Sequence, residues 1–96
     1  MRLSEFQIKS IKETAKEIFG DVRIILFGSR VDDNLKGGDI DLYLILNQKP
    51  HFLNKPKFLA KVKRKIGNQK IDVVIDYPER QKVLIDKEAL SKGIEL

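Results

Sequence analysis

Leu3, Phe6, Ile11, Ala15, Ile18 and Phe19 recur at the three-to-four-residue spacing that gathers apolar side chains on one face of a helix. Ser4 followed by Gln7 has the pattern of a capping box, and Gly20 supplies a stop, so a first helix is predicted between them. Val22 to Phe27 is a short apolar run rich in β-branched residues that ends at Gly28, which predicts a strand. From Asp39 to Leu46 the period falls to two. Ile40, Leu42, Leu44 and Leu46 share one face of this second strand, while Asp39, Asp41, Tyr43 and Ile45 share the other. After a loop holding Pro50 and Pro56, the residues Phe58, Leu59, Val62 and Ile66 mark a second amphipathic helix, closed by Gly67 and Asn68. Lys70 to Tyr77 reads as a third strand with Ile71, Val73 and Ile75 on one face and Asp72, Val74 and Asp76 on the other. Pro78 breaks it, and Val83, Leu84, Ala89 and Leu90 predict a last helix before Gly93 and a short tail.

The order αββαβα predicts an α/β (α+β) sandwich: a three-stranded mixed sheet, extended to four if the C-terminal tail pairs, with helices on its Ile/Leu/Val face. The acidic face is expected to stay comparatively open. No repeat, low-complexity tract or long linker interrupts the chain, so residues 1–96 are expected to form one domain.

Ninety-six residues leave little room for a second recognition module, so the molecule acted upon is expected to be presented by a partner. A net charge of +5 permits acidic partners, yet the 19 basic and 14 acidic residues are interspersed, which weakens a nucleic-acid reading. The absence of Cys excludes disulfides and thiolate metal sites. No signal-peptide pattern and no apolar run of roughly 18 residues occur, so a cytoplasmic protein with no membrane span is expected.

Two carboxylates on one strand face repel each other, and Asp39 and Asp41 are placed that way. Asp72 on the third strand can point into the same space. Three converging carboxylates suit one or two Mg²⁺, a hard ion that takes carboxylate oxygens and substrate phosphates together. Paired ions of this kind support in-line displacement at phosphorus. Gly28 and Ser29 follow the first strand, where a glycine lets backbone N–H groups approach a phosphate. Ser29 offers a hydroxyl and a cap for a short helical turn, and Arg30 beside it can neutralise triphosphate charge.

Each feature also has a plainer reading. An isolated Asp-x-Asp is usually a solvated pair, and it is the combination with the Gly-Ser turn and Asp72 that favours a site. Gly37 and Gly38 read as a hinge into strand two, Asp32 and Asp33 as loop solvation, and His51 as a surface residue. Lys57, Lys61, Lys63, Arg64 and Lys65 read as a solvated helix face. Neither a GxGxxG nor a Walker loop is present.

Phe27-Gly28-Ser29, nine intervening residues, Asp39-Ile40-Asp41-Leu42 and later Ile71-Asp72-Val73 together resemble the minimal nucleotidyltransferases of the DNA polymerase β-like superfamily. The resemblance covers Val22 to Asp76, with a gap at the short end of the family range. It implies the polymerase β-like nucleotidyltransferase fold. It also implies that Asp39, Asp41 and Asp72 bind two Mg²⁺ ions, that Asp72 serves as base for the incoming hydroxyl, and that Gly28 and Ser29 grip the nucleotide phosphates. Asp76 rivals Asp72, since it shares that strand face; Asp72 is preferred because it alone lies in the apolar-Asp-apolar frame.

The implied reaction moves a nucleoside monophosphate, AMP from ATP, onto an acceptor hydroxyl. Stand-alone proteins of this branch are similar to antitoxins paired with HEPN-domain ribonuclease toxins, whose tyrosine they adenylylate, so a HEPN-like helical partner is expected. Two readings of other classes compete. One is a binding antitoxin that neutralises its partner without catalysis; the other is a small RNA-binding domain, which lacks the expected aromatic platform.

Overall fold

The computed structural model describes residues 2–32, 34 and 38–96. Helix α1 (Glu5–Phe19) leads into strand β1 (Val22–Phe27) and a 3₁₀ turn over Gly28–Val31. Then follow β2 (Ile40–Leu46), α2 (Asn54–Ile66), β3 (Ile71–Asp76), α3 (Leu84–Lys92) and the two-residue strand β4 (Ile94–Glu95). The expected elements are all present, within one residue at each strand end. The capping box forms as predicted: the Gln7 N–H donates to the Ser4 hydroxyl at 3.1 Å and the Ser4 N–H to the Gln7 side chain at 2.9 Å. Pro56 is an exception to the expectation, since it lies inside the first turn of α2 instead of the preceding loop. A missing N–H costs nothing there, because the first-turn donors of a helix have no partner within it.

The sheet runs β3-β2-β1-β4. β1 pairs antiparallel with β2 and with β4, and β2 pairs parallel with β3 through the α2 crossover. The sheet is thus mixed, and the tail does supply its fourth strand.

The period-two pattern of β2 sorts the two faces. Ile40, Leu42 and Leu44 join Ile24, Leu26, Ile71 and Val73 beneath Ile11 and Ala15 of α1 and Phe58 and Val62 of α2. The Phe19 and Phe58 rings meet at 5.7 Å where the two helices touch. Burying such side chains contributes about 1.5–3 kcal/mol each, so this layer holds the β2–β3 pair rigid. The third helix departs from the expectation that all helices cover this face. Ala89 of α3 packs with Ile25, Phe27 and Tyr43 on the opposite side. The β1–β4 pairing turns the chain back there, so α3 covers part of the acidic face, while Asp72 stays exposed at the end where β2 and β3 begin.

Candidate active site

The open end is where β1 stops and β2 starts. Phe27, Asp41 and Asp72 are successive partners across the three strands, so their side chains emerge on the same face. Asp72 is exposed, whereas Asp41 and Asp39 are half-buried. Gly28 begins the 3₁₀ turn with φ of +77°, a left-handed conformation that L side chains resist. A Cβ at this position would also collide with the Asp41 carboxylate, whose Cγ would lie 3.2 Å away. The glycine therefore makes room for the carboxylate.

Ser29 lies within the turn instead of capping it, because the position before the turn is Phe27 and no side chain caps its N–H groups. The Ser29 hydroxyl lies against Gly38, where a Cβ would overlap it. Gly38 is thus more than a hinge; Gly37 and Asp33 lie outside the described residues.

Arg30 does not reach free into the site. Its guanidinium donates to the Arg2 carbonyl at 2.9 Å, the Gln69 side chain at 3.2 Å and the Gly38 carbonyl at 3.3 Å. Arg2 reciprocates through its backbone N–H to the Arg30 carbonyl at 2.7 Å and its side chain to the Ser29 carbonyl at 2.9 Å. Two arginines thus clamp the turn to the chain start and to the approach to β3. Sequence reasoning missed Arg2 and Gln69, which only the tertiary fold brings to the turn.

Electrostatics single out Asp41. Burial pushes its carboxyl up, and Asp72 and then Asp39 push it further, with Lys70 opposing and Glu88 of α3 adding to the rise. Lys70 holds Asp39 at 3.4 Å. Among the described residues no group of three or more His, Cys, Asp or Glu side chains already draws together as a metal cage. Lys70 pairs with Asp39 Oδ2 and so competes with a cation for that oxygen. The donor set nevertheless fits a hard divalent cation: oxygen ligands only, with mutual repulsion that Lys70 offsets in part.

Asp76 has a different environment. It is buried, accepts from the Tyr43 hydroxyl at 2.8 Å, and pairs with Lys82 and with Arg80. Four residues along β3, about 13 Å at strand rise, separate it from Asp72. Asp86 of α3, also buried, takes the Arg80 guanidinium at 2.5 Å and the Val83 N–H at 2.6 Å. Asp76 is therefore part of the bond between α3 and the sheet.

A cavity of ≈380 Å³ opens over the turn, lined by Gly28, Ser29, Val31, Asp32, Glu88 and Lys92. Glu88 and Lys92 were not singled out from sequence, because their helix faces the turn only once β4 has paired. A larger cavity of ≈460 Å³ sits at the other end of β2, against Asn47 to His51, and holds none of the predicted residues.

A carboxylate pair on adjacent parallel strands beside a glycine turn is the arrangement expected of phosphoryl-transfer chemistry at two metals. The family model described as "Polymerase beta, Nucleotidyltransferase" matches residues 7–96. The chain belongs to this nucleotidyltransferase family. The mixed sheet with three helices is the fold of the polymerase β-like nucleotidyltransferases, and family membership assigns nucleotidyl transfer as the type of activity. Members of the family typically use a nucleoside triphosphate and a divalent metal. Neither the curated proteins nor the solved structures compared with the chain give a match. Among the described residues no helix is long and apolar enough to cross a membrane.

Proposed function

We propose that this chain transfers AMP from ATP to a hydroxyl, a tyrosine's, on a HEPN-like helical partner protein, and that it acts in this way as the antitoxin of a ribonuclease toxin. The observation that carries the transfer reading is Asp41, set between Asp72 and the Gly28 turn with its carboxyl held up by burial and by like charge. Such a group calls for a cation. Asp39, Asp41 and Asp72 would hold Mg²⁺, which when bound would neutralise triphosphate charge and support displacement at the α-phosphorus, in which the hydroxyl oxygen bonds to that phosphorus as its bond to the β-phosphate bridge breaks and pyrophosphate leaves. Gly28 and Ser29 present backbone N–H groups to the phosphates, and the Arg2–Arg30 clamp keeps their turn in place. Asp72, the most exposed of the three, takes the proton of the acceptor hydroxyl on a carboxylate oxygen.

The acceptor is assigned to a partner because both sheet faces carry core clusters of the chain's own side chains, while Asp72 at the site end of the sheet is exposed to an incoming molecule. A partner that docks there would supply much of the catalysis by positioning the hydroxyl in line. Co-expression with the product of a neighbouring gene, followed by mass spectrometry of both chains, tests the reading. The partner should gain an AMP on a tyrosine with wild type and not with Asp39→Asn. A partner that is neutralised equally by both, with unchanged mass, would establish the non-catalytic antitoxin instead.

A further inference from the structure

The cavity over the Gly28–Ser29 turn needs positive charge at its wall if it is to receive a triphosphate, and Arg30, which adjoins the turn, is not among the residues that line it. Each of the three guanidinium nitrogens of Arg30 donates within the protein, to the Arg2 and Gly38 carbonyls and the Gln69 side chain, which leaves two of its five N–H groups. On the other side of the same cavity stand Glu88 and Lys92, one helical turn apart on α3. Lys92 is the last residue of that helix and is exposed.

Its location is fixed by three independent contacts. Ala89, one turn earlier, is buried against Ile25, Phe27 and Tyr43. The Gly93 N–H closes the helix on the Ala89 carbonyl at 2.9 Å. Immediately afterwards Ile94 pairs with Leu26 and Glu95 with Ile25, so the helix end is tied to the strand that delivers Gly28.

We propose that Lys92 is the cation that binds the terminal phosphates of a nucleoside triphosphate over the Gly28–Ser29 turn, making α3 and β4 part of the nucleotide site. This rests on the nucleotidyl-transfer reading above and adds a substrate-binding residue to it. The distribution of charge in the cavity gives the bound molecule a direction. Glu88 and Asp32 both line the cavity, so their carboxylates repel a bare anion there. Lys92, a turn further along, attracts one. A metal-bearing triphosphate satisfies both ends, with its terminal phosphates at Lys92; a monophosphate gains little from the lysine because it lacks the phosphates that would meet it.

Titration calorimetry with ATP and with AMP, in Mg²⁺, measures this on wild type, Lys92→Ala, Lys92→Arg and the control Lys87→Ala. Loss of one charge-assisted contact should weaken ATP binding by about tenfold in Lys92→Ala. AMP affinity should change less than about twofold, as expected for a group that never meets the lost charge. Lys92→Arg and Lys87→Ala should bind ATP as wild type does, and urea midpoints should agree across the set. Unchanged ATP affinity in Lys92→Ala, an equal loss for ATP and AMP, or a loss in Lys92→Arg as large as in Lys92→Ala overturns the assignment while leaving nucleotidyl transfer intact. A wild type that binds no triphosphate overturns both.

Discussion

The carboxylate of Asp41 occupies the space in which a side chain at Gly28 would stand. The turn that faces the phosphates and the carboxylate that faces the metal are therefore one packed unit, although twelve residues separate them in the sequence. Replacing Gly28 by alanine should act twice. The left-handed backbone at φ +77° costs a residue with a Cβ about 1–2 kcal/mol, and the methyl group displaces Asp41. A urea melt should show that modest loss of stability, and calorimetry should show metal-dependent ATP affinity falling by at least about tenfold. Wild-type ATP affinity in Gly28→Ala would mean that the position of Asp41 does not matter to binding.

Asp72 and Asp76 share a strand face and differ in everything else. Asp72 is exposed opposite Asp41; Asp76 is buried among Tyr43, Arg80 and Lys82. Asp72→Asn should leave the urea midpoint unchanged and lower nucleotidyl transfer by several powers of ten, since a base and a metal ligand disappear together. Asp76→Asn should cost about 3 kcal/mol of stability by breaking a buried ion pair. Single-turnover transfer by its folded fraction should be nearly normal. The opposite pattern would hand the catalytic role to Asp76.

How far the sequence reveals this site depends on how local each relationship is. Strand periodicity is local, so Asp41 and Asp72 could be placed on one face from Ile40, Leu42, Leu44 and from Ile71, Val73 alone, whereas Asp39, expected on the same strand, lies just before β2. Ser4, Gln7 and Gly20 bounded α1 for the same reason. What could not be read was set by long-range pairing. The side on which α3 packs follows from Ile94 and Glu95 joining β1, and a two-residue strand carries almost no pattern. The same pairing brings Glu88 and Lys92 to the turn. Arg30 looked available because its neighbours in sequence are the turn residues, while the groups that engage it, Arg2 and Gln69, lie far away along the chain.

Arg30 gives a third prediction. A guanidinium donates from three nitrogens held in one plane, and an ammonium on a flexible stem cannot replace it at such a site. Arg30→Lys should therefore destabilise the fold by about 1–2 kcal/mol through the lost contacts to Arg2, Gly38 and Gln69. ATP affinity, measured well below the unfolding temperature, should drop only a fewfold. A large affinity loss with an unchanged urea midpoint would identify Arg30 as a direct phosphate ligand.

The polar network under α3 should set the acid limit of the fold. Burial alone would push the Asp76 carboxyl up, but hydrogen bonds from Lys82 and Tyr43, with Arg80 assisting, outweigh it and hold the group below its ordinary range. Burial likewise opposes ionisation of Asp86, and the Val83 N–H, the Arg80 guanidinium and Tyr43 overcome it. Both groups therefore bind their proton more weakly in the folded state than in the unfolded one. For that sign of shift the stabilisation is complete above the unfolded value of 3.8 and is lost as pH falls through the lower, folded values. The Tyr43 phenol is pushed up by burial and by the two carboxylates, so it stays protonated and donates to Asp76 throughout this range. Urea midpoints should accordingly be flat with respect to these two groups from neutral pH down to about 5 and fall steeply below about 4. In Asp86→Asn the acid-side slope should be shallower, because one of the two linked protons is gone, and stability at neutral pH should be lower by about 3 kcal/mol. Because Asp86 also accepts the Val83 N–H that starts α3, this variant should loosen the helix that carries Glu88 and Lys92. Amide exchange along α3 should rise while exchange in β2 stays slow; equal rises in both would mean that α3 and the sheet open as one unit.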